Sequence, residues 1–167
     1  MRRATTGDLA AALDLLDRAH ATLAQAAVAS AATDRYIQSH LAALRAAAAL
    51  LAARPDGVRG TRGNMTGRDG RRGNVWQAVT RLAPELGEWA AYLAWCADRR
   101  QAIETDGIPV VRRQADDLLR SAQIFVGLVE AALGLPARQA EPVLAALGSG
   151  GREPGGEPHC EPGRAVG

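Results

Sequence analysis

The chain has 167 residues, a formal net charge of +2 and 47% hydrophobic residues, a size and balance that suit one domain with one core. Two cysteines exclude a disulfide framework, and the absence of any Cys-x-x-Cys pair excludes the usual thiolate metal and redox sites. All 20 basic residues are Arg, and no run approaches the roughly 18 uncharged apolar residues of a membrane span. Arg2-Arg3 is not followed by an apolar export region, because Asp8, Asp14 and Asp17 interrupt it; the expected compartment is the cytoplasm.

Taken in order, residues 7–29 predict a first helix with a stripe of Leu9, Leu13, Leu16, His20, Leu23 and Ala27, capped by Thr5 or Thr6 ahead of Asp8. A very short Ala-rich turn predicts an antiparallel second helix from Thr33 to Arg54, with Thr33 and Asp34 at its start and Pro55 at its end. Its inward face is expected to carry Tyr36, His40, Leu44, Ala47 and Leu51, with Arg45 and Ala49 behind.

Residues 54–74 read RPDGVRGTRGNMTGRDGRRGN, six Arg and six Gly with only Val58 and Met65 to bury. That composition predicts a flexible insert carrying about four of the chain's positive charges. The third helix is expected from Asn74 through Trp76, Val79 and Leu82 to Pro84, where it must kink or restart. Beyond Pro84, Leu86, Trp89, Leu93 and Cys96 make a core stripe. Trp95 falls about 120° away from it, on the side of Tyr92 and Glu88. Asp106-Gly107-Ile108-Pro109 ends this helix, with Pro109 placed in the first turn of the next.

The last long helix is expected to bury Val111, Ala115, Leu118, Leu119, Ala122, Phe125, Val126, Val129 and Leu133, with Arg112, Asp116 and Arg120 as a charged ladder behind. Gly134 closes it. Room remains for a short helix within 136–147, and the Gly/Pro/Glu-rich composition of 148–167 predicts a disordered tail. The fold expected is all-α: an up-and-down bundle of four principal helices, the third broken at Pro84, spanning residues 7–135.

The runs RYIQSHLAALRAAAALLAAR, VWQAVTRLAPELGEWAAYLAWCA and RRQADDLLRSAQIFVGLVEAALG together resemble small actinobacterial proteins of the HEPN class, over Asp8 to Leu135 apart from the insert. The resemblance implies a HEPN-like helical bundle. Many members are dimeric ribonucleases or toxins of toxin–antitoxin pairs that work through an Arg-x(4–6)-His motif; others lack the motif and serve as binding modules. Carried onto this chain, the motif is Arg35-x4-His40, with His40 as proton shuttle and Arg35 on the scissile phosphate.

Two observations weigh against that pair. Roughly one such match is expected by chance in a chain this rich in Arg, and a second, Arg152-x6-His159, does occur in the tail. Residues five apart on a helix also point about 140° away from each other. The leading expectation is therefore a HEPN-like helical binding module, with a ribonuclease or toxin using Arg35 and His40 as one alternative and a non-catalytic protein-interaction scaffold as another.

Three further groups are singled out. Arg59, Arg62, Arg68, Arg71 and Arg72 are candidates for RNA or DNA phosphates, although no aromatic residue in the insert can stack a base. His20, His40 and Tyr36 are expected to form a polar layer in the core, with the two imidazoles within a water-bridged reach of roughly 7 Å. Tyr92, Trp95, Ile124 and Leu128 form an apolar patch suited to a homodimer interface. No metal or cofactor is expected; His159-Cys160 has no companion ligands.

Overall fold

The computed structural model describes residues 5–54 and 68–136, with the side chains of 68–74 outside the description. Most of the insert, including Arg59 and Arg62, lies outside the described residues, as do the expected 136–147 helix from residue 137 on and the tail. The described chain is helical throughout: α1 (Thr6–Val28), α2 (Ala32–Ala53), α3 (Arg68–Leu82), a 3₁₀ turn (Pro84–Leu86), α4 (Gly87–Asp106) and α5 (Arg112–Ala132).

Helix limits follow local chemistry. Thr5 Oγ1 accepts from the Asp8 N–H at 3.2 Å while the Thr5 N–H donates to Asp8 Oδ2 at 2.8 Å, a reciprocal capping box that satisfies two otherwise orphaned donors. At α2 the expected cap moves. Ala31 is the N-cap and makes no side-chain bond, so Thr33 lies inside the first turn, where Asp34 still meets the positive end of the helix.

α3 begins at Arg68, ahead of the Asn74 start expected, so its first turns reach into the Arg/Gly stretch. Pro84 produces the fresh start: it occupies the first position of the 3₁₀ turn, and α4 follows at Gly87. Gly107, at φ +66°, ends α4 in the left-handed conformation. Pro109 then lies in the link before α5 rather than in its first turn, because α5 starts only at Arg112. Gly134, at φ +71°, closes α5 in a Schellman arrangement, the Leu135 N–H donating to the Glu130 carbonyl at 2.9 Å and the Gly134 N–H to Ala131 at 3.0 Å.

α2 is the centre of the bundle and packs on α1, α3, α4 and α5. That explains a difference from the one-sided stripe the sequence predicts: Ala42, Ala46 and Ala49 are as buried as Tyr36, Ala43 and Ala47, while Leu44 and Leu51 are only partly covered. Alanines on several faces let neighbouring backbones approach closely. α1 answers with Ala12, Ala19 and Ala26, all fully buried, which turns its contact face away from Leu9 and Leu13 and leaves both exposed. On α5, Ala115, Leu118, Ala122, Phe125, Val126 and Val129 are buried as expected, whereas Val111, one residue before the helix, is exposed.

Side-chain ties fix the directions. Arg35 near the start of α2 meets Asp116 near the start of α5, and Arg54 just after α2 donates to Ala132 at the end of α5 at 3.0 Å, so these two helices run parallel. α4 runs against both: His40 meets Leu93 on one side, and Arg99 meets Gln114 on the other. α1, α2, α4 and α5 therefore alternate up and down, while α3, with Trp76 beside His40 and Leu82 beside Arg54, runs in the same sense as α2. Arg54 also donates to the Leu82 carbonyl at 2.9 Å, so one guanidinium satisfies carbonyls at the ends of two helices.

Candidate functional site

Arg35 extends from the first turns of α2 into the gap between the end of α1 and the start of α5. Its Nε–H donates to the Ala26 carbonyl at 3.2 Å and Nη2 to the Ala29 carbonyl at 2.8 Å, while Nη1 pairs with Asp116. All three guanidinium nitrogens are engaged, and the residue is 8% exposed. Asp116 therefore leaves the expected ladder with Arg112 and Arg120; Arg120 instead pairs with Asp117. Chemically this is a clamp: a cation on the negative end of α1, joined to a carboxylate on α5.

His40 points elsewhere. Its Nε2 lies 3.1 Å from the Leu93 carbonyl on α4, and since a carbonyl only accepts, that nitrogen carries the proton. The ring meets Trp76 edge-on at 5.9 Å, and Trp76 meets Phe125 edge-on at 6.0 Å, a row of rings crossing the core from α2 through α3 to α5. A small pocket lined by His40, Leu44, Trp76, Ala97, Arg100 and Glu104 adjoins the imidazole, which is itself 2% exposed. Arg100 and Glu104 pair with each other one helical turn apart at 3.1 Å. Arg35 and His40 thus use their polar atoms on opposite neighbours, α1 and α5 for the first and α4 for the second.

His20 Nε2 lies 2.7 Å from Glu130 Oε1, tying α1 to α5 across 110 residues of sequence. The carboxylate is buried and the imidazole partly so. The Tyr36 and Tyr92 hydroxyls both lie near the Cys96 thiol. The hydrogen bonds of the expected polar layer therefore run to separate places, His20 to α5 and His40 to α4, while the buried Tyr36 hydroxyl makes none among the described residues. Burial pushes the Tyr36 hydroxyl well above the usual phenol range, reinforced by the neighbouring thiol. It also pushes up the Cys96 thiol, against the lowering influence of the nearby Tyr36 and Tyr92 hydroxyls and of the Arg99 charge, and it raises Tyr92. A thiol held neutral in that way is a poor nucleophile.

Sequence reasoning missed Asp116 and Glu130 as partners. The available signal was an acid on an inward face: Glu130 follows Val126 by one turn on the buried side of α5, where an unpaired carboxylate is costly and a core histidine on another helix is its natural complement.

The outer face of α4 is built differently. Trp95 is 59% exposed and stacks on Tyr92 with ring centres 6.4 Å apart and planes 28° from parallel. Across a shallow groove lined by Glu88, Trp89, Tyr92 and Ser121, α5 presents Ile124, also more than half exposed, and the partly covered Leu128. Arg68, Arg71 and Arg72 fall in the first turns of α3, whose backbone alone is described there. Among the described residues no three His, Cys, Asp or Glu side chains converge as a metal site would require, and no helix is long and apolar enough to cross a membrane.

The described residues thus form an all-helical bundle with an antiparallel α1–α2 pair and a central second helix, its prominent Arg and His engaged in holding helices together. The family model of the SAV_6107-like HEPN domains matches residues 26–130, and the chain belongs to that family. No curated protein and no solved structure matches it.

Proposed function

We propose that this chain is a non-catalytic HEPN-like binding module of the cytoplasm, self-associating through the Tyr92, Trp95, Ile124 and Leu128 face and offering Arg59, Arg62, Arg68, Arg71 and Arg72 to the phosphates of RNA or DNA. The observation that carries the reading is the state of Arg35. Its three nitrogens are bound to Asp116 and two helix-end carbonyls, so holding a scissile phosphate would require breaking the α1–α2–α5 junction. His40 is 2% exposed and donates to Leu93, so its Nε2 proton is already committed to a helix carbonyl. A toxin or ribonuclease role depends on that pair and is set aside.

What remains available is a large exposed aromatic face, of the kind that association buries, and in the sequence a cationic stretch of the composition that suits polyanions through counterion release. The test uses labelled RNA and purified protein. Cleavage should be absent from wild type and His40→Ala alike, while binding should fall steeply with added salt and weaken when the five arginines become glutamine. RNA cleavage that disappears in His40→Ala overturns the non-catalytic reading. Binding indifferent to the five substitutions removes the nucleic-acid part.

A further inference from the structure

The groove on the outer face of α4 is aromatic and acidic together. Glu88, Tyr92 and Trp95 follow one another along one side of the helix, Trp89 and Ser121 line the groove beside them, and Ile124, one turn along α5 from Ser121, is exposed. The charges around it are unequally matched. Arg120 on α5 is paired with Asp117, and Arg99 donates to Gln114 at 2.9 Å, but among the described residues Glu88 has no ion-pair partner. A phenol one helical turn from a carboxylate, with an exposed indole stacked on it a turn further along, matches a guanidinium: the planar cation lies on the Tyr92 ring face while its N–H groups reach Glu88.

This chain carries such groups in quantity. Its positive excess is concentrated in the 54–74 stretch, which holds six Arg and two Asp, and Trp95 is 59% exposed. The stretch leaves the bundle at Arg54, whose guanidinium sits on the Leu82 carbonyl just before the 3₁₀ turn that leads into α4 and Glu88. Departure point and groove are at the same end of the molecule. Residues 55–67 have a contour length of roughly 45 Å, enough to cross a dimer contact.

We propose that the Glu88–Tyr92–Trp95 groove takes arginine side chains from the 54–74 segment of a second copy of the chain, exchanged reciprocally in a two-fold dimer. The inference rests on the self-association proposed above and names what occupies the face. Two equivalent segment-to-groove contacts form in each dimer, as a closed isologous arrangement requires. The arginines offered to nucleic acid are then the same ones that the partner copy holds when no nucleic acid is present.

Sedimentation equilibrium on the full chain tests this with two variants. Glu88→Arg disables the groove and leaves the segment intact; a variant with Arg59, Arg62, Arg68, Arg71 and Arg72 all changed to Gln disables the segment and leaves the groove. Each alone should dissociate at least tenfold more readily than wild type, with unchanged far-ultraviolet circular dichroism. An equimolar mixture should recover association, because the segment of the first variant fits the groove of the second. If the five-glutamine variant associates as tightly as wild type, the aromatic faces mate without the segment; self-association then stands and this inference falls. A mixture no tighter than either variant alone also overturns it, since exchange between copies predicts complementation.

Discussion

The inner side of α2 and the outer side of α4 carry similar chemistry, a cation or acid beside aromatic rings, and use it in opposite ways. On α2, Arg35 and His40 sit among neighbouring helices with their polar atoms on Asp116, helix-end carbonyls and Leu93, and Tyr36 is buried near Cys96. On α4, Glu88 and Trp95 face solvent with little of their surface matched. A residue type that suggests chemistry is available for it only where the fold has not already engaged it, and here the engaged set is the one that resembles a catalytic motif.

The largest expected effect breaks the inner side. Arg35→Ala leaves Asp116 without its cation and two carbonyls at the end of α1 without their donor, which should cost about 3 kcal/mol in urea unfolding, the low end for a disrupted ion pair because Asp116 is about a third open to water. Arg35→Lys keeps the charge but not the fork, and should recover only part of that loss. A midpoint unchanged by Arg35→Ala would mean that the clamp is dispensable and the guanidinium free for another role.

Next in size is the α1–α5 tie. His20→Ala leaves the Glu130 carboxylate, 5% exposed, without its imidazole and should lower stability by about 2 kcal/mol in the same assay. Replacing both residues together, His20→Leu with Glu130→Leu, should restore much of it, because an apolar pair avoids burying a charge altogether. If the double variant is the less stable of the two, the tie contributes more than its desolvation cost.

Alkaline titration sharpens the comparison at the point where the two sides meet, around Cys96. Burial raises the folded-state pKa of the thiol and of the Tyr36 and Tyr92 hydroxyls, so the folded chain keeps protons that the unfolded chain gives up. The stabilisation is complete below the unfolded thiol value, about 9, and declines as pH rises through the unfolded values toward the raised folded ones. Stability should fall above about pH 9, and Cys96→Ala should begin that fall nearer pH 10, where the phenols take over. In the native protein the thiol should react with a disulfide reagent only as fast as the chain opens.

These contacts divide what the sequence discloses from what it does not. The Thr5–Asp8 cap, the restart at Pro84 and the turns at Gly107 and Gly134 are matters of a few adjacent residues, and they were legible because local backbone chemistry decides them. The face of α2 was not. A helix of many alanines reads as one-sided when only its leucines are counted, whereas a helix surrounded by four others buries alanine on every side. Arg35–Asp116 and His20–Glu130 join residues 81 and 110 positions apart, and no helical period links such partners. Trp95, in contrast, could be placed outside from the 120° it departs from the core stripe, and the structure leaves it there.

The outer side is also where the smallest effect on folding and the largest on assembly should coincide. Sedimentation equilibrium of wild type beside Trp95→Ala at tens of micromolar, with unfolding free energies measured at a dilution where both are monomeric, tests the central claim that the working surface lies on α4 and not at the Arg35–His40 pair. Wild type should self-associate, the variant should be monomeric, and the unfolding free energies of the two monomers should agree to within about 0.5 kcal/mol, as expected for an exposed site. A wild type that remains monomeric, or a variant that associates as wild type does, contradicts it.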